Sequence, residues 1–195
     1  METTDKILVR ILKDITIQHT VTSLAKELKL SRVGTWKILK KLEAEKIINL
    51  KSIGRGKTST YLVELNWNNK VTEKKLELLL TEEAQSNQRW LDNFKELEKE
   101  TDFLILFGSI LHSPKEAKDI DFLMVTDKKN FSKINENISK IQKSQIKKIH
   151  SNNLTEAEFR TEISKQNKIF IDAIKKGVVL FGQEKLIKVV KEMKR

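Results

Sequence analysis

Residues 103–107 read Phe-Leu-Ile-Leu-Phe, five apolar side chains in a row with Asp102 before them and Gly108 after. A run so short and so uniform has no polar face to turn to water. It is the mark of a buried strand, and buried strands belong to sheets covered by helices. The surrounding chain offers those helices. Residues 72–100 and 132–144 have helical spacing, the second carried by Ile134, Ile138 and Ile141. Thr155 followed by Glu158 makes a capping box that is predicted to open one long helix to about residue 176. Further strands are predicted at residues 119–125, at 145–152 and at Val178-Val-Leu-Phe181, where Gly182 marks the stop before a terminal helix. The expected architecture is α/β (α+β), with a mixed sheet flanked by helices.

Chemistry concentrates at the end of that apolar strand. Gly108-Ser109 follows it directly, and Asp119-Ile-Asp121 comes after nine intervening residues. A Gly-Ser turn lets a phosphate approach the backbone, where N–H groups and the Ser109 hydroxyl can donate to it. Asp119 and Asp121 are two apart on a strand, so both carboxylates point to one face. Such a pair is a hard oxygen site suited to Mg²⁺ (or Mn²⁺) that keeps waters and substrate phosphates. Asp-x-Asp alone is common. Its placement on a strand behind strand-Gly-Ser is what makes the pattern specific.

In these residues the chain resembles the polymerase-β-type nucleotidyltransferase superfamily, particularly its minimal bacterial and archaeal members, over about residues 85–182. The resemblance implies that Gly108 and Ser109 bind the nucleotide phosphates. It implies that Asp119 and Asp121 are the catalytic metal ligands, and that a nucleoside triphosphate is the donor, with pyrophosphate released. Such proteins usually bring a third carboxylate from the next strand. Here that segment is Gln145-Ile-Lys147-Lys148-Ile-His150, without an acid. Lys148 or His150 stands near the expected place, with Lys148 favoured, and His150 is otherwise read as a surface residue. Glu156 and Glu158 are read as helix N-terminal residues, and His19 and His112 as surface residues.

The N-terminal third has a different pattern. Ile7, Leu8, Ile11 and Leu12 make an amphipathic helix. His19-Thr-Val21 is a short extended piece, and Thr22 is the predicted N-cap of a helix holding Leu24, Ala25 and Leu28. Ser31 caps a third helix, with Val33, Trp36, Leu39 and Leu42 predicted on its core face. Two strands, at 47–50 and 58–65, flank Gly54-Arg-Gly56. This order, over about residues 4–65, resembles winged helix-turn-helix domains of the MarR-like and archaeal-regulator type. The third helix would then enter a major groove. Arg32 and Thr35 are the expected base readers, Lys37, Lys40 and Lys41 the phosphate contacts, and Arg55 and Lys57 the cations of the wing.

Charge agrees with a polyanionic partner. The net charge is +11, and residues 1–70 carry 14 Lys/Arg against 7 Asp/Glu, a net of +7. There is no cysteine, which excludes disulfides and thiolate metal sites. No apolar run approaches the ~20 residues of a membrane span, and Met1-Glu-Thr-Thr-Asp5 is unlike a signal peptide. A cytoplasmic location is expected. The expected domains are residues 1–68 for nucleic-acid binding, 69–100 as a linking helical segment, and 101–195 for nucleotidyl transfer.

The function expected from these features is transfer of a nucleoside monophosphate, AMP foremost, to a hydroxyl of a protein or nucleic acid, directed by DNA binding. RNA as the partner and a homodimer stay open. Two alternatives also stand: a non-enzymatic DNA-binding regulator with a degenerate nucleotide site, and an antitoxin-like partner of a toxin. The missing third acid favours the regulator, and the intact Gly-Ser and Asp-x-Asp favour the enzyme.

Overall fold

The computed structural model describes residues 2–54 and 60–194. The chain divides into two units, Met1–Leu79 and Leu80–Arg195. Each is a mixture of helices with one sheet. Among the described residues no helix is long and apolar enough to cross a membrane.

The first unit runs α1 (Thr3–Lys13), β1 (His19–Thr20), α2 (Val21–Glu27), α3 (Arg32–Ala44), β2 (Ile48–Ile53) and β3 (Thr60–Leu65). Its three strands are antiparallel in the order β1-β3-β2. The cap of α2 is Thr20 rather than Thr22. Its hydroxyl accepts from the Ser23 N–H at 3.1 Å, and its own N–H donates to Ser23 Oγ at 2.8 Å. Thr20 is still paired in β1, so the helix begins as soon as the strand ends. Ser31 caps α3 as expected, accepting from Gly34 N–H at 3.0 Å.

The inward face of α3 is Thr35, Leu39 and Leu42, all buried. Val33 is 67% exposed and Trp36 only partly buried. Leu39 and Leu42 face inward as expected, but in the first turns Thr35 takes the inward position that Val33 and Trp36 were expected to hold. A small threonine takes an inward position because its hydroxyl donates to the Ser31 carbonyl at 3.0 Å, which satisfies it without water.

His19, read from sequence as a surface residue, is 1% exposed. Its Nε2 lies 2.9 Å from Oδ2 of the equally buried Asp14, and the Arg10 guanidinium reaches 3.9 Å from Asp14 and 3.7 Å from Glu27. The short β1 carries His19 inward opposite Val63. The pair joins the end of α1 to the sheet. Removing one member of a buried pair leaves the other desolvated, which costs about 3 kcal/mol. Asp14→Ala is therefore expected to lower the stability of this unit by about that amount in chemical denaturation.

The division between the units falls within α4 (Lys70–Gln85). The second unit continues with α5 (Gln88–Phe94), a 3₁₀ segment (Lys95–Glu100), β4 (Phe103–Phe107), β5 (Asp119–Val125), α6 (Phe131–Gln142), β6 (Lys148–Leu154), α7 (Glu156–Ser164), α8 (Lys168–Lys176), β7 (Val178–Phe181) and α9 (Gln183–Met193). Residues 88–100, expected to link domains, belong to this unit's core. Trp90, Phe94 and Leu97 are buried, and Phe94 meets Phe122 edge-on with centroids 4.3 Å apart.

The four strands lie in the order β6-β5-β4-β7. β4 is antiparallel to both β5 and β7, while β5 and β6 are parallel. A parallel pair needs a crossover, and α6 supplies it. One face of the sheet presents Leu104, Leu106, Ile120, Phe122 and Met124 to the core cluster with Trp90 and Phe94. On the other face Phe103 meets Phe159 of α7 at 5.3 Å. The expectation of a sheet with helices on it thus holds.

The single long helix expected from residue 155 is two helices. Thr155 and Glu158 form the predicted box, but Gln166 has φ 55° and Asn167 caps a new helix at Lys168. The strand expected at 145–152 lies at Lys148–Leu154.

Candidate cation and nucleotide site

The site forms where β4, β5 and β6 begin or end together. Phe107 closes β4 opposite Asp121, and Asp121 lies opposite His150 in the parallel ladder. Residues opposite one another in a ladder share a face. Asp119, Asp121 and His150 therefore project to the same side, while Ile120 and Ile149 go to the core. The burial alternation along β5 places the carboxylates at its partly exposed start and leaves Phe122 to Val125 buried.

Gly108 follows β4 with φ 87°, in the region that L side chains avoid. A Cβ there would stand 2.5 Å from Asp121 Oδ2. The backbone thus passes directly against the carboxylate, and only glycine allows it. Ser109 is exposed and opens a 3₁₀ turn, Ser109–Leu111. The loop that returns to Asp119 is tethered by Lys147, whose ammonium donates to the Ala117 carbonyl and, at 3.4 Å, to that of Lys115.

Asp119 and Asp121 side chains are 34% and 25% exposed. His150 Nδ1 is 3.5 Å from Asp119 Oδ2 and 3.7 Å from Asp121 Oδ1. One ligand atom from each residue lies within 4.8 Å of the others. This donor set fits a divalent cation. Burial, followed by the charge of Asp119, raises the Asp121 pKa above its ordinary value, and His150 works against the rise. Folding therefore holds the Asp121 proton more tightly than the unfolded chain does. Stability falls as pH rises from the ordinary aspartate value through the raised one, and the deficit is full above it.

The expectation that Lys148 occupies the third-ligand place is corrected. Lys148 and His150 are two apart and lie on the same face, with Lys148 opposite Asp119 and His150 opposite Asp121. It is the imidazole that approaches both carboxylates. His150 is exposed, as the surface reading has it, and it is also the less favoured of the two residues expected near the third-ligand place; its nearness to both carboxylates depends on the β5–β6 register, which no local pattern encodes. His112 is exposed, as expected. Glu156 and Glu158 lie in the first turn of α7, and hydrogen bonds from Thr155 lower the Glu158 pKa. Asp14, His19 and Glu27 form another grouping of metal-ligand type, but Arg10 already supplies a cation beside it.

In the first unit, Arg32, Lys37, Lys40 and Lys41 are exposed on α3. Lys40 pairs with Glu43 at 2.5 Å and lies 5.6 Å from the Trp36 ring centroid. Thr35, expected to read bases, is fully buried and bonded to Ser31, so it has no face for a ligand. Arg55 and Lys57 lie outside the described residues. Val33, Trp36 and Tyr61 line a hollow beside Arg32, with Trp36 and Tyr61 centroids 5.0 Å apart. Sequence reasoning placed Val33 and Trp36 in the core and missed this surface.

Comparison with protein-family models, curated proteins and solved structures gives no match.

Two outcomes follow from this geometry. Gly108→Ala is expected to destabilise the second unit by about 1–3 kcal/mol, from positive φ and the clash with Asp121, measured by denaturant unfolding. Asp121→Asn removes the partly buried, repelled charge. It should raise the unfolding midpoint at pH 7 without added metal, and the gain should vanish below the ordinary aspartate range. A scan of thermal unfolding against pH reads both signs.

Proposed function

We propose that the second unit is a nucleotidyltransferase-type domain that binds a nucleoside triphosphate with a divalent cation, and that the first is a winged-helix module for nucleic acid. The observation that carries the proposal is the convergence of Asp119, Asp121 and His150 beside the Gly108 turn. Asp119 and Asp121 would hold the cation, which supplies charge neutralisation for the triphosphate and its leaving group when bound. Ser109 and the backbone after Gly108 are the donors available to phosphate oxygens. An acceptor hydroxyl on a protein or nucleic acid attacks the α-phosphorus. The bond to the β-phosphate oxygen breaks, pyrophosphate leaves, and the hydroxyl proton passes to water. AMP is the expected group transferred.

No carboxylate faces the Asp119–Asp121 pair from β6, so no carboxylate there takes the acceptor's proton, and slow turnover is expected. The same observation favours a second reading, in which the domain senses a nucleotide and the chain is a DNA-binding regulator. Incubation of the full chain with α-labelled nucleoside triphosphates, Mg²⁺ or Mn²⁺ and cell extract separates the two. Transfer of label that disappears in Asp119→Asn is the expected result. Metal-dependent nucleotide binding without any transfer supports the regulator. Equal nucleotide affinity in wild type and Asp119→Asn would overturn the assigned site.

For the first unit, the support is the succession of α1, α2 and α3, the antiparallel sheet of β1, β2 and β3, and the exposed cations of α3. Neutralising several phosphates releases counterions. DNA affinity should then fall roughly tenfold or more between low and physiological salt. Arg32→Ala should weaken binding further at every salt concentration, in fluorescence anisotropy of a labelled duplex. Salt-independent affinity would count against this role.

A further inference from the structure

We propose that His150 is the third protein ligand of the Asp119–Asp121 cation site, and that the site consequently takes a first-row transition dication in preference to Mg²⁺. The inference rests on the reading that the two carboxylates hold a cation, and it concerns which cation they hold.

Geometry comes first. The parallel pairing of Asp121 with His150 brings the imidazole to the side of the carboxylates. Its Nδ1 lies 3.5 Å and 3.7 Å from one oxygen of each. Those separations are longer than a good hydrogen bond, so the imidazole stands between the two carboxylates and is held at most loosely by Asp121. They are close to the separation of roughly 3.0–3.6 Å that two ligands keep when both bind one ion at ~2.1 Å. His150 is 45% exposed, so a cation can reach Nδ1 from solvent. The Gly108 backbone is pressed against Asp121 and limits the room on that side.

Donor chemistry decides the ion. Mg²⁺ is hard, prefers oxygen in a near-ideal octahedron, and gives up its water reluctantly. An imidazole in the first shell favours the more polarisable dications, with affinity rising from Mn²⁺ through Co²⁺ along the first row. Two carboxylates and one imidazole suit Mn²⁺, Fe²⁺, Co²⁺ or Zn²⁺ better than Mg²⁺. The register also sets Lys148 opposite Asp119. A lysine at that position disfavours a second cation, so one metal per site is expected.

The test uses the full chain and Mn²⁺ alone as the probe. Electron paramagnetic resonance counts the bound ions, and spin-echo modulation detects a ¹⁴N nucleus in the first shell. One Mn²⁺ with ¹⁴N modulation is expected in wild type. The modulation should disappear in His150→Gln, with Mn²⁺ affinity falling by about tenfold. His19→Gln should leave it in place, which excludes the Asp14 grouping as its source. Competition against the Mn²⁺ signal measures Mg²⁺. It should displace Mn²⁺ only in large excess from wild type, and more readily from His150→Asp, where the third donor becomes an oxygen. Mn²⁺ bound without ¹⁴N modulation, equally in His150→Gln but not in Asp119→Asn, would overturn the role of His150 and leave the carboxylate site standing. Mg²⁺ displacing Mn²⁺ from wild type at equal concentration would overturn the preference. Failure of wild type to bind Mn²⁺ with or without nucleoside triphosphate would overturn both the inference and the site reading beneath it.

Discussion

The second unit depends on β4, a strand that has to be dry on both faces. Its five residues pair with β5 on one side and β7 on the other, and apolar side chains alternate into the layers above and below. No one of these residues can turn to water without exposing a neighbour. The ladder that buries β4 also brings Phe107 opposite Asp121 and turns the chain at Gly108 against that carboxylate. The polar site is thus a by-product of where the apolar strand stops. A ledge of polar groups at the edge of a dry sheet can be only partly solvated, which is why Asp121 bears a raised pKa.

Features of the chain that depend on neighbours in sequence were legible; those that depend on neighbours in space were less so. The apolar run of β4, the alternation of β5, the Val178–Phe181 strand and the Thr155–Glu158 box each carry their own local physics, and each formed where expected. Asp119 and Asp121 could be paired from parity alone. His150 could be named beside them only through the resemblance, and behind Lys148, because its place is set by the β5–β6 register after an intervening helix. The buried Asp14–His19 pair was hidden for the same reason. Nothing local distinguishes a histidine that a two-residue strand carries inward from one on the surface.

Helix ends were a separate source of error, with a specific cause. The chain turns with positive φ at Lys29, Lys46 and Gln166, where glycine would have been the usual signal. Without that signal the stretch after Thr155 reads as one helix. On α3 the misplaced face came from size. Val33 and Trp36 look like core residues, while Thr35 hides its polarity in a bond to Ser31 and takes the inward position.

The pairing of Asp121 with His150 has a counterpart in the genetic code. Histidine and aspartate codons differ in the first base alone, so a single nucleotide change interconverts an imidazole and a carboxylate at this ladder position. The backbone need not move for that exchange, since the position is set by the crossover through α6 and the strand register rather than by the side chain. One base change would thus exchange a nitrogen donor for an oxygen donor at a fixed point of the sheet.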